Sequence, residues 1–191
     1  MSTTGGPQQV ELTRGATRIL DAATALFYER GIAGVGVDTI AAASGVTKRT
    51  LYDRFGSKDA LVTAYLRRRD ADWAARWERR IAGAAGPASL TVFDAYAEDA
   101  EPSGRGCAFL NAAAELPPGH EGWGVVRAHK ARVAGRVAEL VERDLGRPDG
   151  DLAELIFLLV EGGIAHQRVD GDSRRLSAAR RLAAGQLAAR R

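Results

Sequence analysis

A single cysteine, Cys107, stands in a chain of 191 residues, so no disulfide can close within one copy. No apolar run approaches the roughly 18 residues that a membrane span requires; the longest, Leu155 to Val160, stops at Glu161. The opening residues MSTTGGPQQV lack the basic start and apolar stretch of a signal peptide, and a reducing cytoplasm is the expected location. Lysine is scarce, with three (Lys48, Lys58, Lys130) beside 24 arginines, a bias that marks no binding site by itself. No segment alternates apolar and polar residues as a half-buried strand does, so the expected fold is all-α. Gly31, Gly34 and Gly36 follow no strand and precede no Gly-Lys-Ser/Thr, which excludes a phosphate loop. His120, His129 and His166 with one cysteine are not spaced as a zinc set. Neither a nucleophile elbow nor a paired-carboxylate or Ser-His-Asp arrangement can be read. No metal, cofactor or enzymatic activity is expected.

What is present suits a folded protein: 46% hydrophobic and 27% charged residues, with 27 basic against 24 acidic side chains. A net charge of +3 is a weak field, so a polyanion partner must be argued from where the charges lie. Residues 1–10 read as a flexible tail. From Leu12, the residues Ala16, Ile19, Leu20, Ala23, Leu26 and Phe27 recur on one helical face until Gly31. A short helix from Val37 or Asp38 to Ala43 ends at Ser44-Gly45, and a third runs from the capping residue Thr47 to about Phe55. Two short helices around a glycine turn make a helix-turn-helix.

Ser57 caps a helix that continues without Pro or Gly to Gly83, long enough to connect a small head to a separate body. Further helices are predicted around Leu90–Tyr96, over 107–116, 122–145, 152–169 and 176–189, with breaks at Pro102 to Gly106, Pro117-Pro118-Gly119 and Gly146-Arg147-Pro148. The expected organisation is tail 1–10, helix-turn-helix domain 11–57, and a ligand-binding and dimerisation domain 58–191, of which 58–81 is the connecting helix.

From Ser44 to Lys58 four basic residues face one acidic residue, as much net charge as the whole chain carries. A recognition helix offers short polar and basic side chains at its N-terminal end while its other face packs inward. Thr47, Lys48, Arg49 and Thr50 fit the first requirement; Val46, Leu51 and Phe55 fit the second. Tyr52 can reach a phosphate or a thymine methyl, Arg54 adds charge, and Thr39 and Lys58 sit at helix starts where phosphates bind.

The segments ILDAATALFYERG, TIAAASGV and TLYDRFGSKDAL, within residues 14–66, resemble the N-terminal DNA-binding domain of TetR/AcrR-type bacterial transcriptional repressors. Gly45, Val46, Leu51, Tyr52, Phe55, Lys58 and Leu61 stand at that family's motif positions; Asp53-Arg54 departs from its frequent aromatic or histidine residues. The resemblance implies a homodimer that binds a near-palindromic double-stranded operator and releases it on binding a small-molecule inducer.

In the body, Trp73, Trp77, Phe93, Tyr96, Cys107, Phe109, Asn111, Trp123, His129, Phe157 and Glu161 combine apolar walls with polar anchors, as a ligand pocket would. The same residues also suit an ordinary core. Leu152, Leu155, Ile156, Leu159, Leu176, Leu182 and Leu187 give two apolar-faced terminal helices for a dimer bundle, with Gly163 permitting close backbone approach. Packing within one subunit is the alternative. Cys107, beside Arg105 at a predicted helix start, has the makings of a reactive thiol, although a buried inert thiol is the favoured reading; a redox or electrophile sensor is the first functional alternative. A protein-interaction module is the second.

Overall fold

A computed structural model of the chain describes residues 13–100 and 105–191. The tail expected at 1–10, the helix start expected at Leu12 and the Pro102 part of one break lie outside these residues. Helices and no strand form among the described residues, giving an all-α fold: a three-helix N-terminal unit with the helix-turn-helix, then a larger helical part.

Helix α1 (Arg14–Arg30) starts where Thr13 Oγ1 accepts from the Ala16 N–H at 3.4 Å, satisfying one of the donors left free by the first turn. Its buried stripe, Ala16, Ile19, Leu20, Ala23, Leu26 and Phe27, is the predicted one. Then follow α2 (Val37–Ser44) and α3 (Lys48–Phe55). Ser57 Oγ accepts from the Ala60 N–H at 3.0 Å and opens α4 (Lys58–Ala82), whose 25 residues extend about 37 Å at 1.5 Å per residue.

A 3-10 turn at Ala88–Leu90 precedes α5 (Thr91–Ala100). The Asp144 carboxylate accepts from the N–H groups of Ala88 and Ser89 at 2.9 and 2.8 Å and caps that turn from far along the chain. The remaining helices are α6 (Ala108–Glu115), α7 (Gly122–Leu145), α8 (Gly150–Asp170) and α9 (Arg174–Ala188). Among them α8 starts two residues earlier than expected because Asp149 Oδ1 caps it through the Leu152 N–H at 3.0 Å.

One continuous apolar core runs from Ile19 in α1 through α4 to Leu187 in α9. Leu51, Leu61 and Leu66 are fully buried, each contributing about 1.5–3 kcal/mol relative to exposure. The N-terminal unit is thus joined to the rest by packing along α4, with Phe27 edge-on to Tyr65 at 5.5 Å between ring centroids. A strictly hinged head would require a gap there.

Candidate nucleic-acid interface

The turn between α2 and α3 is built by Gly45, whose φ of 64° lies in the left-handed region that a side chain disfavours. Behind it Ser44 Oγ donates to the Ile40 carbonyl at 2.7 Å, and the Val46 N–H reaches the Ala41 carbonyl at 3.2 Å. Thr47 Oγ1 caps α3 by accepting from the Thr50 N–H at 3.1 Å, and the two threonine hydroxyls lie 2.9 Å apart. Leu51 is the fully buried anchor of α3. Around it Thr47, Lys48, Arg49, Tyr52, Asp53 and Arg54 are exposed, with Thr50 half-buried.

Most of the expected contact residues therefore share one open surface: Thr39 is exposed in the first turn of α2, beside the N-terminal end of α3. Two features were not foreseen. Lys48 Nζ is 2.6 Å from Asp38 Oδ1, and this hydrogen-bonded carboxylate pushes the lysine's pKa further up, so it stays charged. Asp38 lies ten positions upstream and becomes its neighbour only when the turn folds. Lys58, expected at a phosphate, instead donates to the Ile32 carbonyl at 2.8 Å and is half-buried. Its charge is spent on a carbonyl of the α1–α2 connector, which removes it from the exposed set.

The body scatters the other two residue sets. Trp73, Trp77, Phe93, Tyr96, Cys107, Phe109 and His129 are all buried and several pack against one another. Ring centroids of Trp73 are 5.0 Å from Trp77 and from Tyr96, and Phe109 stacks on His129 at 3.6 Å. Trp73 and Trp77 still border a small cleft of about 120 Å³ with Arg132 and Arg136, whereas the others pack as core. Trp123 is elsewhere, half-buried, its indole N–H donating to the Pro117 carbonyl at 3.1 Å, and Phe157 is half-buried against the core. Glu161 is taken by Lys130 at 2.7 Å, and accepts from the Tyr96 hydroxyl at 3.3 Å. Only Cys107 and Asn111 of the expected pocket line the cleft of about 380 Å³ between the start of α6 and the end of α8; Arg105, Leu110, Ile164 and Arg168 complete most of its wall.

Leu152, Ile156, Leu176 and Leu187, expected at a dimer interface, are buried inside the protomer. Gly163 does allow close backbone approach, but between α8 and α9 of one chain: a Cβ there would meet Leu176 Cα at 2.8 Å. Of the expected set, Leu155 and Leu159 are half-buried and Leu182 is exposed. Leu158, unforeseen, is exposed beside it, on a groove of about 330 Å³ that also holds Gly162, His166 and Ala178.

Burial and hydrogen bonding compete to set the electrostatics of the body. Cys107 is pushed above its ordinary thiol range by desolvation, which outweighs the opposite pull of Lys130 Nζ at 3.5 Å. That direction is the reverse of what a reactive sensor thiol requires. Burial also lowers the His129 pKa, against the pull of Asp70 at 2.7 Å. Because an ionised carboxylate only accepts, His129 Nδ1 carries the proton that faces Asp70. Burial works against Asp70's charge too, but the bonds from His129 and Arg132 prevail and hold it below the usual carboxylate range. Among the described residues no helix is long and apolar enough to cross a membrane.

Residues 19–65 match the family described as bacterial regulatory proteins, tetR family. A putative TetR-type transcriptional regulator from Streptomyces avermitilis is 30% identical over 90% of this chain and 98% of that one, with a TM-score of 0.74. The chain belongs to the TetR family. Another TetR-family structure, the transcriptional regulator SCO4454 from Streptomyces coelicolor, superposes with a TM-score of 0.84 at 27% identity, covering 93% of this chain and 90% of that one. An uncharacterized HTH-type transcriptional regulator from Mycobacterium tuberculosis is 51% identical over 53 residues, 28% of this chain. That match spans only 26% of the relative's length. For this TetR-family chain the family model falls on the helix-turn-helix part, while the solved structures cover nearly the whole length.

Proposed function

We propose that the protein is a homodimeric transcriptional repressor that binds a near-palindromic double-stranded operator and leaves it when a small-molecule inducer occupies the body. The observation that carries this reading is the exposed N-terminal end of α3, where Thr47, Lys48, Arg49 and Tyr52 face solvent around a buried Leu51. Phosphate contacts from Thr39, Tyr52 and Arg54 would set the register, and Lys48, Arg49 and the threonines would read base edges in the major groove. To read a base, Lys48 must leave Asp38 or share it.

A second copy is the partner that this operator geometry calls for, since twofold-related recognition helices enter successive grooves. The exposed Leu158 and Leu182, with Gly162 between flanking residues of the same groove, support α8 and α9 as the joining face. In this reading residues 11–57 are the DNA-binding domain and 58–191 the ligand-binding and dimerisation domain, with 58–81 connecting them. The site of action is the cytoplasm, where the operator lies. An inducer releases DNA only if it binds the DNA-incompetent arrangement more tightly.

The test is fluorescence anisotropy of the full chain with genomic fragments recovered by selection, across salt, beside Lys48→Ala and Tyr52→Ala. Selective, salt-weakened binding that falls about tenfold in Lys48→Ala and loses selectivity at one position supports base reading. A uniform loss with a salt slope smaller by about one assigns Lys48 to phosphate. Recovery of no preferred fragment refutes the reading.

A further inference from the structure

We propose that the cleft between the start of α6 and the end of α8 binds a small monocarboxylate with an apolar body, and that Arg105 passes its occupancy to α1. The cleft has a volume of about 380 Å³, within the range of small-molecule sites. Its walls divide chemically: Leu110, Ile164 and Val169 are apolar, whereas Arg105, Asn111 and Arg168 are polar. Arg168 is exposed in the last turn of α8 and forms no ion pair among the described residues. Arg105 is already engaged, with Glu115 at 3.9 Å among its partners, which leaves Arg168 as the cation open to a ligand. One uncompensated cation beside an apolar wall matches a monoanion, and the planar guanidinium fork suits a carboxylate.

Arg105 also reaches beyond the cleft. Its Nη1 donates to the Glu29 carbonyl in the last turn of α1 at 2.6 Å. Glu115, its acidic neighbour, accepts from the Ala33 N–H at 2.8 Å. One guanidinium thus forms a wall of the cleft and a tie to the helix that supports α2 and α3. A carboxylate accepts a stronger hydrogen bond from a guanidinium than a backbone carbonyl does. Ligand binding draws Arg105 from Glu29 and loosens the end of α1. This last step rests on the reading of the protein as a regulator released by ligand; the recognition of a carboxylate does not. Ala165 and Val169 follow Leu158 and Gly162 along α8 at helical spacing, so the cleft opens at the edge of the proposed joining face.

Octanoate, 1-octanol and octylamine are the probes, titrated calorimetrically into the full chain without DNA. Octanoate is expected to bind at millimolar concentration or below, with the alcohol and amine about tenfold weaker. Arg168→Gln, at an exposed position where folding is not at stake, should weaken octanoate about tenfold and leave 1-octanol unchanged. Equal binding of the alcohol, an unaffected Arg168→Gln, or no octanoate binding overturns the ligand class. The relay is read with the selected DNA: octanoate should lower the DNA affinity of the native chain but not of Arg105→Lys, each chain being held at an octanoate concentration that saturates it by its own calorimetric Kd and shown to be folded by helical circular dichroism. Unchanged coupling in Arg105→Lys overturns the relay. If no DNA is selected, the regulator reading fails while calorimetry still decides the ligand class.

Discussion

Replacing Gly163 by alanine separates the packing of one protomer from the joining of two. Two terms compete. Alanine is better than glycine in a helix interior by about 1 kcal/mol. Against this, the new methyl would stand 2.8 Å from Leu176 Cα and 3.3 Å from its backbone nitrogen, atoms that move only if α9 moves. Overpacking of this kind costs about 1–3 kcal/mol. Gly135 in α7 and Gly185 in α9 are exposed helical glycines with nothing within 4 Å of an added Cβ, so Gly135→Ala and Gly185→Ala keep the propensity gain alone. Gly163→Ala should therefore lie about 1–3 kcal/mol below these controls, or roughly 2–12 °C in Tm at 2–4 °C per kcal/mol for a chain of this length. Thermal unfolding by circular dichroism at several protein concentrations measures it. The deficit should persist at every concentration, because the clash lies within one chain. A Gly163→Ala protein as stable as the controls, or a deficit that vanishes on dilution, would refute the assignment of this glycine to the α8–α9 contact.

Leu158→Glu or Leu182→Glu, at side chains 58% and 61% exposed, should leave the helical signal intact and convert a dimer to monomers in sedimentation velocity; dimers unaffected by both changes would place the joining face elsewhere. Stability should fall as pH drops from 7 towards 5, because the unfolded chain protonates His129 below about pH 6.5 whereas burial keeps the folded residue neutral. Asp70, held low in the fold, adds its own loss at more acidic pH, and His129→Gln should flatten the upper part of the denaturation profile. Cys107 should react with a disulfide reagent far more slowly in the native protein than in denaturant, since burial raises its pKa; equal rates would restore the sensor reading.

Where a helix end depends on its own neighbours, the sequence was a good guide. Thr47 and Ser57 cap as expected, and Gly45 turns the chain between α2 and α3, because these effects act over three or four residues. The 3-10 turn at Ala88–Leu90 escaped notice because the carboxylate that caps it is Asp144, 56 residues from Ala88. Lys58 looked like any lysine at a helix start; only the folded connector brings the Ile32 carbonyl to it. Of the two readings that the aromatic set allows, most of its members take the core one, since residue types alone cannot tell a wall from a filling. Helix α8 is apolar on several sides, so its sequence offered no single outward stripe. Only the packing of the neighbouring helices decides that Ile156 is core and Leu158 is surface.

The α1–α2 junction is held from outside through main-chain atoms: Lys58 takes the Ile32 carbonyl, Glu115 the Ala33 N–H and Arg105 the Glu29 carbonyl. Such ties read the path of the chain and are indifferent to side chains at those three positions. The reading end can therefore drift in sequence, or be exchanged for that of a relative, while Lys58, Arg105 and Glu115 keep gripping the same peptide groups. A graft preserving those three and the backbone course between α1 and α2 carries over the mechanical connection along with the new address.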